Sequence, residues 1–212
     1  MGSIKLPRVF RALLFLLAIG MPLAAAPRAP ESPEAIAREI LAPLLDPVKV
    51  ASLKGDRPAN ARLYRILYWL ETARRAGGKV PDIIGTAQAA THDAGTPHAQ
   101  ADARAILAAH ARLAAWRCYG PAGMEELRRG GSPTIQDGPH AGEDVHIDHV
   151  LPVSIGPELR ARFYNLRPQP AAVNLAKGNR IGPAEAELAR RWHRAGLLSS
   201  TALAAVNDHA RP

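Results

Sequence analysis

Residues 145–182 read VHIDHVLPVSIGPELRARFYNLRPQPAAVNLAKGNRIG, and no other stretch restricts the fold as much. A short β-branched run ends in Asp148-His149, and a turn-rich loop follows. A second short run at 163–167 then leads into a helix-capable segment from 171 to about 177. The predicted order is strand, strand, helix.

Helical periodicity surrounds this stretch. From Asn60, the apolar residues Leu63, Ile66, Leu67 and Leu70 recur at helical spacing, with Asn60 as N-cap and Gly77-Gly78 as the stop. Residues 98–117 carry a second stripe of Ile106, Leu107, Leu113, Ala114 and Trp116, and His110 beside it reads as a packing residue. Shorter helices are expected at 81–90 and at 122–129, the latter closed by Gly130-Gly131. Residues 131–145, GSPTIQDGPHAGEDV, are turn formers leading into the first strand. After Gly182-Pro183 the helical pattern returns through Ala189, Trp192 and Leu197-Leu198, with a last segment at 202–209. The expected fold class is mainly α with a small ββα element, thus α+β. A chain of 212 residues, 47% apolar and 22% charged, suits one core or one core with a small appended module.

The N-terminus has a different character. Lys5, Arg8 and Arg11 precede an apolar run at 12–23 and then small residues to Ala26, the order of a secretory signal peptide. The run falls short of the roughly 20 residues of a bilayer-spanning helix, so no stable membrane anchor is expected. Residues 1–25 are therefore expected to direct export to the periplasm or beyond, with cleavage after Ala24 or Ala25. The competing reading is a buried N-terminal helix. Residues 26–47, rich in proline, are expected to form a partly ordered linker ending in a short helix at 35–45 that Pro47 interrupts. A helical region at 48–130, the strand-strand-helix module at 131–182 and C-terminal helices at 183–212 complete the plan.

Charge narrows the function classes only slightly. The net charge is +8, and loss of residues 1–25 leaves 24 basic against 19 acidic residues. That balance favours polyanions without identifying nucleic acid. Much of it lies in Lys54, Arg57, Arg62, Arg65, Arg74, Arg75 and Lys79, opposed only by Asp56 and Glu71. These residues suit either a solvated helix face or a phosphate-binding one. Cys118 is the single cysteine, which excludes an intrachain disulfide and a multi-cysteine zinc site, and it reads as a small buried apolar group.

Hydrolysis of a phosphodiester needs a base to activate water and a cation to neutralise developing charge. Neighbours on a strand face opposite ways, so Asp148 and His149 divide the work, carboxylate on the metal side and imidazole on the water side. Asn174 can add an amide oxygen to Asp148, a hard pair suited to one partly hydrated Mg2+ or Mn2+. Both are expected at a solvent-reachable site. Asn165, expected on the second strand, can brace the loop behind His149 and so select the imidazole nitrogen that faces water. Lys177 and Arg180 can clamp the flanking phosphate. His146 shares a strand face with Asp148 but not with His149, so zinc ligation by the three is awkward, and His146 reads as a strand residue near the site.

Residues 140–181 resemble the HNH endonucleases of the ββα-metal, or His-Me finger, fold. Asp148-His149-Val150-Leu151-Pro152, Tyr164-Asn165-Leu166 and Asn174-Leu175-Ala176-Lys177-Gly178-Asn179-Arg180 carry the resemblance. It implies His149 as general base, Asp148 and Asn174 as metal ligands and Asn165 as the middle residue of the motif. Asparagine replaces histidine as the last letter, which turns the metal expectation from zinc or nickel towards magnesium or manganese. The cysteine pairs that brace many such modules are absent, so the surrounding helices must support it. The expected function is an exported, metal-dependent endonuclease acting on nucleic acid, specifically DNA, with His149, Asn165 and Arg180 in the catalytic set. The alternatives are a nucleic-acid-binding module that keeps the fold without turnover, and a helical envelope or interaction protein.

Overall fold

A computed structural model describes residues 32–52 and 59–210. The expected signal peptide, residues 1–25, and residues 26–31 of the expected linker lie outside the described residues. The described chain is mainly helical with one two-stranded antiparallel sheet, in keeping with the α+β class.

The rest of the expected linker is part of the core. Helix α1 (Pro33–Ala35) runs through a π-helical turn (Ile36–Leu41) into α2 (Ala42–Leu45), and α3 (Pro47–Ser52) follows. Ile36, Ala37, Leu41 and Ala42 are buried against the neighbouring helices. The prolines mislead because they sit where a helix tolerates them. Pro33 lies in the first turn of α1 and Pro47 starts α3, where a missing N–H removes no intrahelical bond, whereas Pro43 comes just after the π-helical turn. Asp46 accepts from the Val48 and Lys49 amides at 2.9 and 3.3 Å, so Pro47 opens a capped helix as well as ending the previous one.

Helices α4 (Ala59–Arg75), α5 (Val80–Ala89), α6 (Pro97–Ala115) and α7 (Pro121–Arg129) build the main core from Leu63, Ile66, Leu67, Leu70, Ile83 and Leu113. Thr96 caps α6 by accepting from the Ala99 amide, and Gly130, at φ +79°, closes α7 in the left-handed conformation. Asn60 lies inside α4 rather than at its cap, and its amide donates to the Ile147 carbonyl at 3.3 Å. The Tyr64 hydroxyl donates to the Val145 carbonyl. One face of α4 thus holds the first strand.

That strand, β1 (Val145–His149), pairs with β2 (Leu166–Pro170) in the register Val145 to Pro170 and His149 to Leu166. The second strand lies three residues later than the sequence pattern indicated, and 163–165 form a 3-10 turn instead. Pro168 and Pro170 disguise it, yet each stands opposite a residue whose carbonyl turns away from β2 towards α4. At such outward positions a missing N–H breaks no ladder bond. On the far edge, Arg112 donates to the Pro168 carbonyl at 3.0 Å. Helix α8 (Ala171–Lys177) follows β2 directly.

Helices α9 (Pro183–Arg194) and α10 (Ser200–His209) form a second core with the loop between the strands, through Leu151, Leu159, Tyr164, Trp192 and Val206. Tyr164 meets Trp192 edge-on at 5.2 Å, and its hydroxyl donates to the Leu197 carbonyl at 2.8 Å. The ββα element is therefore braced from both sides by helices. No helix among the described residues is long and apolar enough to cross a membrane.

Candidate functional site

The pleat of β1 sends His146 and Asp148 to one face, and their cross-strand partners Gln169 and Arg167 stand beside them. Helix α8 crosses this polar face and contributes Asn174 and Lys177. Asn174 Nδ2 lies 3.3 Å from His146 Nδ1, an arrangement that leaves the amide oxygen, the harder donor, available to a cation.

Asp148 is only 4% exposed, against the expectation of a solvent-reachable carboxylate. Its two oxygens have different partners. Oδ2 accepts from Gln169 Nε2 at 2.9 Å and from the Arg167 guanidinium at 3.3 Å. Oδ1 accepts from Lys177 Nζ at 2.9 Å, and the same ammonium donates to the His149 carbonyl at 2.9 Å. Lys177 is thus turned inward onto the carboxylate rather than outward as a phosphate clamp. Arg180, beyond the end of α8, is exposed, and its guanidinium folds back onto the Ala176 carbonyl of that helix. Arg167 also lies 3.8 Å from Glu185 at the start of α9.

His149 ends β1, where the strand gives way to the loop, so it reaches the same cleft as Asp148 although the pleat turns them apart. Its Nε2 lies 3.2 Å from the Arg160 carbonyl. A carbonyl only accepts, so Nε2 is the donor nitrogen, and in the neutral tautomer this contact selects, Nδ1 is the acceptor. The direct partner of the imidazole is thus the Arg160 carbonyl, and Asn165 touches the loop that carries it rather than His149 itself. Asn165, fully buried, precedes β2 and ties the two ends of the loop. Its Oδ1 accepts from the Leu151 amide at 2.8 Å, and its Nδ2 donates to the Leu151 carbonyl at 3.0 Å and to the Leu159 carbonyl at 3.4 Å.

Asp148, His149 and Asn174 line one cleft of about 480 Å³, with Pro152, Ser154 and Asn179 on its other walls. Among the described residues no three His, Cys, Asp or Glu side chains group closely enough to hold a metal together. A cation here would rest on the Asp148 carboxylate and the Asn174 amide, supplemented by water, which suits Mg2+ or Mn2+ in charge and donor hardness. Arg167 and Gln169 were not foreseen as site residues. Their signal was the alternate spacing of two polar side chains opposite His146 and Asp148, hidden by the prolines between and after them.

Three of the described basic residues between 59 and 79, Arg62, Arg74 and Arg75, are engaged within the protein. Arg62 donates to the Ala161 carbonyl and stacks on Phe163 at 4.4 Å, and Arg74 and Arg75 both pair with Glu71. His110 is buried and lies 3.3 Å from the same carboxylate, a packing role. Burial pushes the Cys118 thiol up to about 12, an inert group. His140 pairs with Glu143 at 2.9 Å.

Comparison with known proteins found no match, whether to a protein-family model, to a curated protein or to a solved structure.

Proposed function

We propose that this chain is an exported, divalent-metal-dependent endonuclease of the HNH type, hydrolysing phosphodiester bonds in DNA. The observation that carries the reading is the meeting of Asp148, His149 and Asn174 on one cleft, with the first two on a strand and the third on the helix after its partner strand. His149 accepts a proton from water at Nδ1, because the Arg160 carbonyl holds the proton on Nε2. Asp148 and Asn174 hold the cation through one carboxylate and one amide oxygen. When bound, Mg2+ or Mn2+ supplies charge neutralisation at the phosphate and leaving oxygen. Asn165 keeps the loop carrying Arg160 in place. Arg180, exposed and next to Asn179 of the cleft wall, meets the phosphate backbone of the DNA strand.

The test is incubation of supercoiled plasmid with the purified full-length chain in Mg2+, Mn2+ or EDTA, beside His149→Ala. Nicked or linear DNA only with metal, and its loss in the variant, is the expected result. Intact plasmid in every metal overturns it. The ion pair that Lys177 makes with Asp148 favours a second reading, in which the module binds DNA without turnover because its own ammonium fills the cation site. Retarded but uncut plasmid, unaffected by EDTA, would select that reading.

A further inference from the structure

We propose that Lys177 and the divalent cation compete for Asp148 Oδ1, so that the ammonium occupies the cation site until metal binding releases it into the cleft. The inference rests on the metal-dependent reading above and concerns how that site is loaded. Four observations lead to it. The two carboxylate oxygens are held unequally: Oδ2 is fixed by Gln169 and Arg167, cross-strand neighbours on a rigid sheet, while Oδ1 has Lys177 on a flexible stem. The ammonium bridges Oδ1 and the His149 carbonyl, two oxygens at the end of β1, as a small cation would. Its side chain is only 13% exposed, so water screens the pair poorly. Lys177 is the last residue of α8, and Gly178 and Asn179 beyond it line the cleft, so a short swing of the stem carries the ammonium into that space.

The local charges fix the direction of the coupling. Asp148 and Glu185 carry one negative charge each, and Arg167 and Lys177 one positive charge each, a neutral group without metal. A divalent cation added beside a retained ammonium meets repulsion at close range, whereas release of Lys177 leaves a net negative site to receive it. The freed ammonium then lies beside the same cleft as a phosphate ligand, so that metal loading and phosphate binding assist each other.

Two measurements test this without reading cleavage. Mn2+ binding is followed by calorimetry on the full chain and on Lys177→Gln, and the variant is expected to bind more tightly by a factor between roughly 5 and 150. On the unmodified protein, acylation of Lys177 by an amine-reactive ester is quantified by peptide mass spectrometry relative to the exposed Lys79. Lys177 should be protected in EDTA and become reactive in Mn2+, a result that needs no variant to fold. Equal Mn2+ affinity in the two proteins, or Lys177 equally protected with and without Mn2+, overturns the competition while leaving the metal site standing. No Mn2+ binding by either protein overturns both the competition and the metal-dependent reading.

Discussion

At the scale of single residues, Asp148 and Asn174 differ more than a shared role as metal ligands suggests. Asp148 is buried and accepts from Lys177, Arg167 and Gln169, so Asp148→Ala leaves the half-buried Lys177 ammonium without its counter-charge and Arg167 with Glu185 alone. Loss of roughly 2–4 kcal/mol is expected even in EDTA, read by urea melts. Asn174 is partly exposed with one weak side-chain contact, and Asn174→Ala should cost under about 1 kcal/mol in the same melts. Both variants should lose cleavage, but only the first should also lose stability; equal melts would show that the Asp148 contacts contribute nothing. His149→Ala should cut plasmid about 10²–10⁴-fold more slowly, with unchanged melting and with part of the rate restored by added imidazole. A variant cutting at the full rate would move the base to another group, His146 first.

At the scale of elements, the loop between β1 and β2 is held less by the ladder than by one side chain. Asn165 satisfies both backbone groups of Leu151 and reaches Leu159, and Asn165→Ala orphans the two Leu151 groups at about 1–3 kcal/mol each, while the Leu159 carbonyl keeps the Arg162 amide. The expected outcome is faster hydrogen exchange at the Leu151 amide and slower cleavage, since Arg160 on that loop orients His149. Unchanged exchange at Leu151 would mean that packing against α9 and α10 alone secures the loop. The same element shows the limit of local patterns. The first strand and the final helix were legible from β-branched residues and from the segment after Pro170, whereas β2 was displaced because two prolines obscure its alternation. Only pairing with β1 reveals that those prolines stand at outward positions.

At the scale of the whole molecule, two buried carboxyls respond to acid in opposite directions. Burial pushes Asp102 up to about 6 from 3.8, against the Tyr164 amide and the Arg162 charge that pull it down. A carboxyl raised on folding adds stability below its unfolded value and loses it as pH rises through the folded one, here between about 4 and 6. Burial also pushes Glu71 up, but Arg74 and Arg75 outweigh it and hold the carboxyl at about 2. A carboxyl lowered on folding adds stability above its unfolded value, lost as pH falls from about 4.5 towards 2. Urea melts should therefore show greatest stability from these two groups near pH 4 to 5. Asp102→Asn should flatten the decline between pH 4 and 6, worth up to about 3 kcal/mol; a decline of the same size in the variant would place its origin elsewhere.

Local order was determined by the sequence itself. Apolar stripes located the long helices, the turn formers ended them, and the strand-strand-helix order put Asp148, His149, Asn165 and Asn174 in their elements to within a few residues. Period and capping are short-range properties, written in neighbouring side chains. Tertiary structure alone decided the partners: the burial of residues 36–42 in the core, the Arg160 carbonyl behind His149, and the hold of Lys177 on Asp148 from 29 residues away. Those contacts depend on which faces meet when α4, α8 and α9 close on the sheet. No local period carries that information, because burial, and with it the worth of each charge, arises only where distant segments exclude water together.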